Sequence, residues 1–225
     1  MKRNLYIVAG IAVLLLAAFF AATKFYVRSE KGAQETVTAP KSGSTPKSGS
    51  APGVLVQPDS PSLGSMMARV TLVEFLDPEC ESCRAMHPLV KRIMNEHQGG
   101  VRLVIRYMPL HRNSVYAASA LEAAGEQGRY WDMLDILFQH QPEWGDHRAP
   151  KPELIPELAA RIGLDMKRFE RSISNPAHKA KIERDLNDGK NVGVTGTPTF
   201  FVNGRRLERL GYDPLKALIK EELSK

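Results

Sequence analysis

The only two cysteines of this chain are the sequence feature that most constrains its fold and chemistry. They lie together as Cys80-Glu81-Ser82-Cys83, directly after the apolar run Arg69–Leu76 and at the start of a segment with helical spacing of apolar residues. A strand that leads into a helix presents free backbone N–H groups and the positive end of the helix dipole to the first thiol. A pair of cysteines is too few for a scaffold held by several disulfides or for a zinc site of four cysteines.

This arrangement predicts a reversible redox pair. The spacing allows a small disulfide, and a thiol at such a site can have a pKa well below the free value of about 8.5. The first cysteine is expected to be exposed and the second to point back into the first helical turn. We therefore expect Cys80 to be the attacking nucleophile and Cys83 the resolving thiol, through a mixed disulfide. A purely structural disulfide is the less favoured alternative, because so short a loop restrains little of the unfolded chain.

A metal-binding module is a further alternative for the same thiols. His87 follows Cys83 by four residues and would share its helix face, and Cys80, Cys83 and His87 together could hold Cu(I). The remaining histidines are His97, His111, His140, His147 and His178. Their spacing does not resemble that of metal ligands, so we expect no other metal site. The thiol chemistry itself requires no separate cofactor.

Charged residues near the cysteines are expected to tune them. Glu74 lies in the middle of the apolar run, where burial would raise its pKa and let it shuttle the proton of Cys83. A solvated sheet edge is the alternative position for Glu74. Glu79, Glu81 and Ser82 are the expected tuning positions beside Cys80, and two nearby carboxylates disfavour a thiolate.

The pattern along residues 59–225 predicts a mixed α/β sheet with an inserted helical block at about 111–190. A helix from Cys80 to about His97 separates the first two strands, which implies a right-handed parallel unit. An Asn203-Gly204 turn predicts a hairpin near the C-terminus, followed by a closing helix. The expected strands are 69–76, 101–108, 199–202 and 205–210.

The N-terminal region indicates attachment to a membrane. Leu5–Thr23 carries no charge over 19 residues, and as a helix it would span about 28 Å, close to the hydrocarbon thickness of a bilayer. Lys2 and Arg3 precede it, which favours a cytoplasmic N-terminus. We expect a signal-anchor over 1–28, with a cleaved signal peptide as the alternative, and a flexible Pro/Ser/Gly/Lys-rich linker over 29–58. The domain would then lie outside the cytoplasmic membrane on a single pass.

The net charge of +6 does not indicate nucleic-acid binding. Residues 1–58 carry seven Lys and Arg against two acidic residues, whereas residues 59–225 carry 24 basic and 23 acidic residues. A nearly neutral folded domain lacks the basic surface that a phosphate backbone requires. We therefore expect protein partners and no nucleic acid.

Several segments resemble one known family. The segment Val73–Cys83 resembles the active-site segment of the thioredoxin superfamily, and specifically of DsbA-like exported thiol–disulfide oxidoreductases. Pro88 resembles the proline that kinks the family's active-site helix, and 128–133 resembles its inserted helical domain. The stretch Val194–Gly204 is similar to its cis-proline loop and the following hairpin. The similarity covers about residues 59–225.

The resemblance implies a thioredoxin-like fold with an inserted helical domain, and a cis bond before Pro198. Thr197 beside that bond would dock an extended substrate segment. Its substrates would be exported proteins with thiols or disulfides, and a membrane partner, DsbB-like or DsbD-like, would reset the pair. Strong oxidases of the family carry Pro-His where this chain has Glu81-Ser82, so we expect a less acidic Cys80 and a weaker oxidant. A reductase or isomerase kept reduced by a membrane electron donor is the alternative direction.

Overall fold

A five-stranded mixed sheet organises the part of the chain that the computed structural model describes, residues 52–225, and its strand order is β1-β3-β2-β4-β5. The strands are β1 (Ser62–Leu63), β2 (Val70–Leu76), β3 (Val101–Tyr107), β4 (Thr199–Val202) and β5 (Arg205–Arg206). As expected from the strand–helix–strand order, β2 and β3 are parallel, whereas β1, β4 and β5 run antiparallel to their neighbours. Six of the seven residues in each of β2 and β3 are buried, because these strands lie in the interior of the sheet.

Nine α-helices accompany the sheet within residues 52–225. They are α1 (Pro52–Leu55), α2 (Glu81–Glu96), α3 (Ser114–Gly125), α4 (Tyr130–Gln139), α5 (Gln141–Trp144), α6 (Ile155–Arg161), α7 (Met166–Ser172), α8 (Pro176–Asn191) and α9 (Tyr212–Leu223). A short 3₁₀ turn at Pro152–Leu154 precedes α6. Side chains cap two of these helices: Asp165 accepts the Arg168 N–H at the start of α7, and Asn175 accepts the Ala177 N–H at the start of α8.

Helices α3–α8 form the predicted insertion between β3 and β4. The sequence did not predict α5, which is only four residues long. Trp144 at its end is fully buried, and its indole N–H donates to the Leu137 carbonyl oxygen over 2.8 Å. The packing of this tryptophan therefore holds a helix that is too short to show a periodic pattern.

The folded part begins before residue 59, so the prediction of a linker up to residue 58 is wrong at its C-terminal end. Leu55 is 2% exposed and packs in one cluster with Val73 and Phe75 of β2. The guanidinium of Arg106 also donates to the Val54 carbonyl oxygen. Apolar residues that follow the Pro/Ser/Gly-rich stretch are thus used to cover the sheet.

The C-terminal hairpin is shorter than predicted. Asn203 and Gly204 take positive φ values of 47° and 84°, as a tight two-residue turn requires. The returning strand β5 spans two residues, whereas the prediction extended it to Leu210. Leu210 is exposed, so no apolar face holds it against the sheet.

The predicted signal-anchor over 1–28 and the linker residues up to 51 lie outside the described residues. Within residues 52–225, no helix combines the length and apolar character that a membrane span needs.

A buried ion pair joins the inserted helices to the sheet. Arg106 of β3 is fully buried, and its Nη2 lies 3.0 Å from an Asp185 oxygen and 2.6 Å from an Asp188 oxygen. Asp185 is also fully buried, and its carboxylate has two further partners, the Tyr107 backbone N–H at 3.1 Å and Arg184 Nη2 at 3.3 Å. Loss of one member of such a pair leaves an uncompensated charge in the interior.

Replacement of this arginine tests the contribution of the pair to stability. Arg106→Met should lower the free energy of unfolding by about 3–5 kcal/mol, because the buried Asp185 would lose its buried guanidinium partner. Urea denaturation at neutral pH measures the change. Arg129→Met is the control, since the Arg129–Asp132 pair is exposed and should contribute at most about 1 kcal/mol. Equal losses in the two variants would contradict the interpretation.

Candidate active site

The two thiols lie at the start of α2. Cys80 is the N-cap residue with an extended backbone, and Cys83 lies in the first turn. Cys80 is 7% exposed and Cys83 is 0% exposed, and the structure holds both as free thiols. The prediction of an exposed Cys80 is therefore wrong, because the loop before β4 covers this residue. Cys80 is nevertheless the more accessible cysteine of the pair.

The loop before β4 lies directly against Cys80. The Thr197–Pro198 peptide bond is cis, and the Cys80 thiol donates to the Thr197 carbonyl oxygen over 3.3 Å. Antiparallel pairing of β4 with β2 sets Thr199 opposite Phe75, close to the end of β2 that leads to Cys80. The sheet register thus brings together two segments that are more than a hundred residues apart in the chain.

The surroundings of the Cys80 sulfur favour the thiolate. The hydrogen bond from the Cys83 thiol is the main cause that lowers the pKa of Cys80 from 9 to about 5, and burial acts against it. The Thr197 hydroxyl and the backbone N–H groups of Cys83 and Ser82 lower this pKa further. The Thr197 carbonyl acts in the opposite sense, since it can accept only from the protonated thiol. A nucleophilic sulfur at a helix N-terminus is the chemical result.

Cys83 and Glu74 hold their protons behind the reactive sulfur. Burial raises the pKa of Cys83 well above its usual value of 9, and the neighbouring Cys80 and Glu74 raise it further. Glu74 is 2% exposed on the central strand β2, so its alternative position at a solvated edge is wrong. Burial, with the Cys80 thiolate as a second cause, raises the pKa of Glu74 to about 8. Oε1 of Glu74 has no hydrogen-bond partner among residues 52–225.

The acidic residues beside Cys80 act differently from the expectation. Glu79 is buried, and its carboxylate accepts from the Asn113 backbone N–H over 2.6 Å and from the Asn113 side-chain amide over 2.8 Å. Glu81 and Ser82 are exposed to solvent. Neither carboxylate is among the largest causes that set the Cys80 pKa. Donors compensate the charge of Glu79, and water screens that of Glu81.

Asp77 is a positioning residue that the sequence did not single out. It is fully buried, and its carboxylate accepts from the backbone N–H groups of Glu79 over 2.9 Å and Leu110 over 2.8 Å. The Nδ1 atom of His111 lies 2.7 Å from the same carboxylate. The sequence signal that could have identified Asp77 is its position as a charged residue directly after a buried strand. Asp77 therefore joins the loop before Cys80 to the segment after β3.

Gln141 holds the same loop from the inserted helices. Its side-chain amide donates to the carbonyl oxygens of Pro78 over 2.8 Å and Cys80 over 3.1 Å. Its amide oxygen accepts from Arg84 Nε over 3.0 Å. Gln141 opens α5, which the sequence did not predict, so no local pattern pointed to this role.

The structure does not assemble the alternative copper site of Cys80, Cys83 and His87. Nε2 of His87 lies 2.6 Å from an Asp135 oxygen, and the His87 ring is tilted against that of Phe138, with 5.0 Å between the ring centroids. Within residues 52–225 these three side chains do not bring their ligand atoms within 4.8 Å of one another. The packing between α2 and α4 thus turns His87 away from the thiols.

A cleft lies next to the cis-proline loop. Its volume is about 440 Å³, and Pro198, Arg206, Leu207 and Leu210 are among the residues that line it. A larger cleft of about 830 Å³ lies along α2 and includes His87. We consider the smaller cleft the relevant one, because only it borders the loop that contacts Cys80.

The fold and the paired thiols at a helix N-terminus define a thioredoxin-like protein. A family model described as thioredoxin matches residues 57–221. The chain therefore belongs to the thioredoxin family.

The chain is also similar to part of a curated protein. The Na(+)/H(+) antiporter NhaA 3 of Salinispora tropica is 38% identical over 157 residues, which are 68% of this chain and 23% of that protein. The match thus spans about a quarter of the length of that curated relative.

Two solved structures share the fold. A thioredoxin-like oxidoreductase from Silicibacter pomeroyi DSS-3 matches with a TM-score of 0.68 and 26% identity, covering 78% of this chain and 99% of that chain. Oxidised BdbD from Bacillus subtilis matches with a TM-score of 0.67 and 26% identity, covering 74% of this chain and 94% of that chain.

The contribution of Cys83 to the acidity of Cys80 can be measured directly. Cys83→Ala should raise the pKa of Cys80 by about one to two pH units, because a hydrogen bond to a charged group contributes about 1.5–3 kcal/mol. The pH dependence of alkylation by iodoacetamide gives the midpoint in each chain. Cys83→Ser keeps a donor and should produce a smaller increase. An unchanged midpoint of about 5 in Cys83→Ala would contradict the assigned cause.

The pKa of Glu74 predicts how stability depends on pH. A carboxyl whose pKa is raised on folding stabilises the protein fully below about 4.5, and this contribution disappears as the pH rises to about 8. The free energy of unfolding of Glu74→Gln relative to the wild type should therefore increase across this interval, by at most about 1.4 kcal/mol per pH unit. Urea denaturation of the reduced chains between pH 4 and 9 tests this. The exposed Glu81→Gln serves as the control, and a difference for Glu74→Gln that does not vary with pH would refute the prediction.

Proposed function

We propose that this chain is a thiol–disulfide oxidoreductase that forms or exchanges disulfides in exported proteins through Cys80 and Cys83. The contact of Cys80 Sγ with the Thr197 carbonyl oxygen at 3.3 Å carries the proposal. Cys80 is also the N-cap of α2, so its sulfur lies between the helix start and the cis-proline loop, and we expect a substrate sulfur to approach it there. The family assignment and the similarity to an oxidoreductase from Silicibacter pomeroyi support the same chemistry.

In the oxidative direction, a disulfide passes from the Cys80–Cys83 pair to the substrate. A substrate thiolate attacks Sγ of Cys80 in the Cys80–Cys83 disulfide, so the bond between the two cysteines breaks and a mixed disulfide forms. Cys83 leaves as a thiolate and takes a proton, for which the buried Glu74 is the nearby acid. A second substrate thiolate then attacks the substrate sulfur and releases Cys80 as a thiolate. The substrate loses two electrons, and the cysteine pair gains them.

The donors around Cys80 favour this direction. They stabilise the thiolate that leaves in the last step, and a stabilised reduced form makes the disulfide a better oxidant. In the reverse direction, the Cys80 thiolate attacks a substrate disulfide, and Cys83 resolves the mixed disulfide after giving up its proton, which only the ionised form of Glu74 can accept. The same residues therefore serve a reductase or isomerase when a membrane donor keeps the pair reduced.

Substrate docking is assigned to the loop and to the cleft beside it. The backbone of Thr197 offers main-chain hydrogen bonds to an extended segment, which accounts for broad specificity among unfolded proteins. The cleft next to Pro198, with Leu207 and Leu210 in its lining, would accept an apolar side chain of that segment. Leu210 is exposed and thus available for contact.

The cellular arrangement belongs to the same proposal. An anchor over residues 1–28 and a linker up to the folded part would tether the catalytic domain, as a DsbA-like protein, outside the cytoplasmic membrane. A DsbB-like oxidant or a DsbD-like reductant in that membrane would reset the cysteine pair. The uncharged run Leu5–Thr23 after two basic residues supports this arrangement.

A trapping experiment tests the reaction. Reduced Cys83→Ala should accumulate a 1:1 mixed disulfide with insulin, because Cys80 attacks the insulin disulfide and no resolving thiol follows. Non-reducing electrophoresis and mass spectrometry identify the adduct, and dithiothreitol should release it. The Cys80→Ser/Cys83→Ala chain is the matched control and should form none. If neither chain forms an adduct and the wild type does not accelerate insulin reduction, the proposed function is wrong.

A further inference from the structure

Three potential metal ligands converge beside Cys80, although they are far apart in the sequence. Glu81, His111 and His147 each offer one ligand atom, and these atoms all lie within 4.8 Å of one another. They form the one group of three or more such side chains among residues 52–225. The spacing of these histidines in the sequence predicts no metal site, because α2, the segment after β3 and the segment after α5 each contribute one ligand.

His111 is already oriented as a metal-binding histidine would be. Its Nδ1 lies 2.7 Å from the carboxylate of Asp77, which is fully buried and held by two backbone N–H groups. A carboxylate on one ring nitrogen fixes the tautomer and leaves the lone pair on the other nitrogen, Nε2. This carboxylate–histidine pairing is the usual support of a histidine that binds a metal ion.

The other two ligands have the separation that a tetrahedral ion requires. Nε2 of His147 lies 3.4 Å from Oε1 of Glu81, and two ligands at about 2.0–2.1 Å from a tetrahedral zinc ion are about 3.3 Å apart. The rings of His111 and His147 have centroids 5.0 Å apart. The side chains of His147 and Glu81 are 48% and 60% exposed, so small rotations can bring them onto an ion.

We propose that Glu81, His111 and His147 form a Zn²⁺-binding site at the rim of the active site. Two imidazoles and one carboxylate are a known ligand set for zinc, and they leave a fourth position for water or another donor. A cleft of about 310 Å³, with Glu81 and His147 in its lining, gives the ion a route from solvent. The proposed zinc site goes beyond the proposed thiol–disulfide function and does not depend on it. The two sites are adjacent, because Glu81 directly follows Cys80.

Zinc titration of a chain without thiols tests the site. Cys80→Ser/Cys83→Ser in the full chain is the starting protein, because the serines remove the thiols as competing ligands. Isothermal titration with Zn²⁺ should show one ion per chain. Adding His147→Ala or Glu81→Gln to this background should weaken binding at least tenfold. X-ray absorption should show nitrogen and oxygen ligands at about 2.0–2.1 Å.

His140→Ala in the same background is the matched control. His140 also contacts a carboxylate, with Nδ1 2.7 Å from Glu143, but it belongs to no group of three ligands in the described part of the chain. Zinc binding should be unchanged in this variant. Circular dichroism checks that each chain is folded, which the exposure of His147 leads us to expect. The proposal is overturned if Zn²⁺ does not bind, if binding survives His147→Ala, or if His140→Ala weakens binding equally.

Discussion

The sulfur of Cys80 is held between the first turn of α2 and the Thr197 carbonyl, and the other features of the site depend on this placement. The helix supplies N–H donors that stabilise a negative charge, and the loop supplies the surface against which a second sulfur would arrive. Neither element produces this environment alone. The helix contributes the Cys83 thiol and the backbone N–H groups of Cys83 and Ser82, the loop contributes the Thr197 hydroxyl, and all of these donors lower the pKa of Cys80.

The inserted helices contribute to this placement through polar side chains. Gln141 donates to the carbonyl oxygens of Pro78 and Cys80, and the start of α3 binds the carboxylate of Glu79 through Asn113. Asp77 connects the same loop to the segment after β3. These hydrogen bonds are largely withdrawn from solvent, so each one restricts the loop before Cys80. The helical block therefore acts as a support for the thiols, in addition to any contact with substrates.

The proton chemistry follows from burial. Glu74 on the central strand and Cys83 behind Cys80 both have raised pKa values, because each would carry an unsolvated charge when ionised. Cys80 has a lowered pKa because donors surround it. The ionised group is thus at the surface of the site and the protonated groups are behind it. That order matches a reaction in which one sulfur meets the substrate and the other exchanges a proton inside the protein.

The amino-acid sequence by itself determined the helices and strands with strong patterns, the cysteine pair at a helix start and the two-residue turn at Asn203-Gly204. These features depend on neighbours within a few residues. Tertiary structure alone decided the roles of Asp77 and Gln141, the direction of His87, the end of the linker and the convergence of Glu81, His111 and His147. Each of these depends on contacts between segments that are distant in the chain, and sheet register and helix packing set such contacts. Local sequence periodicity does not predict these long-range contacts.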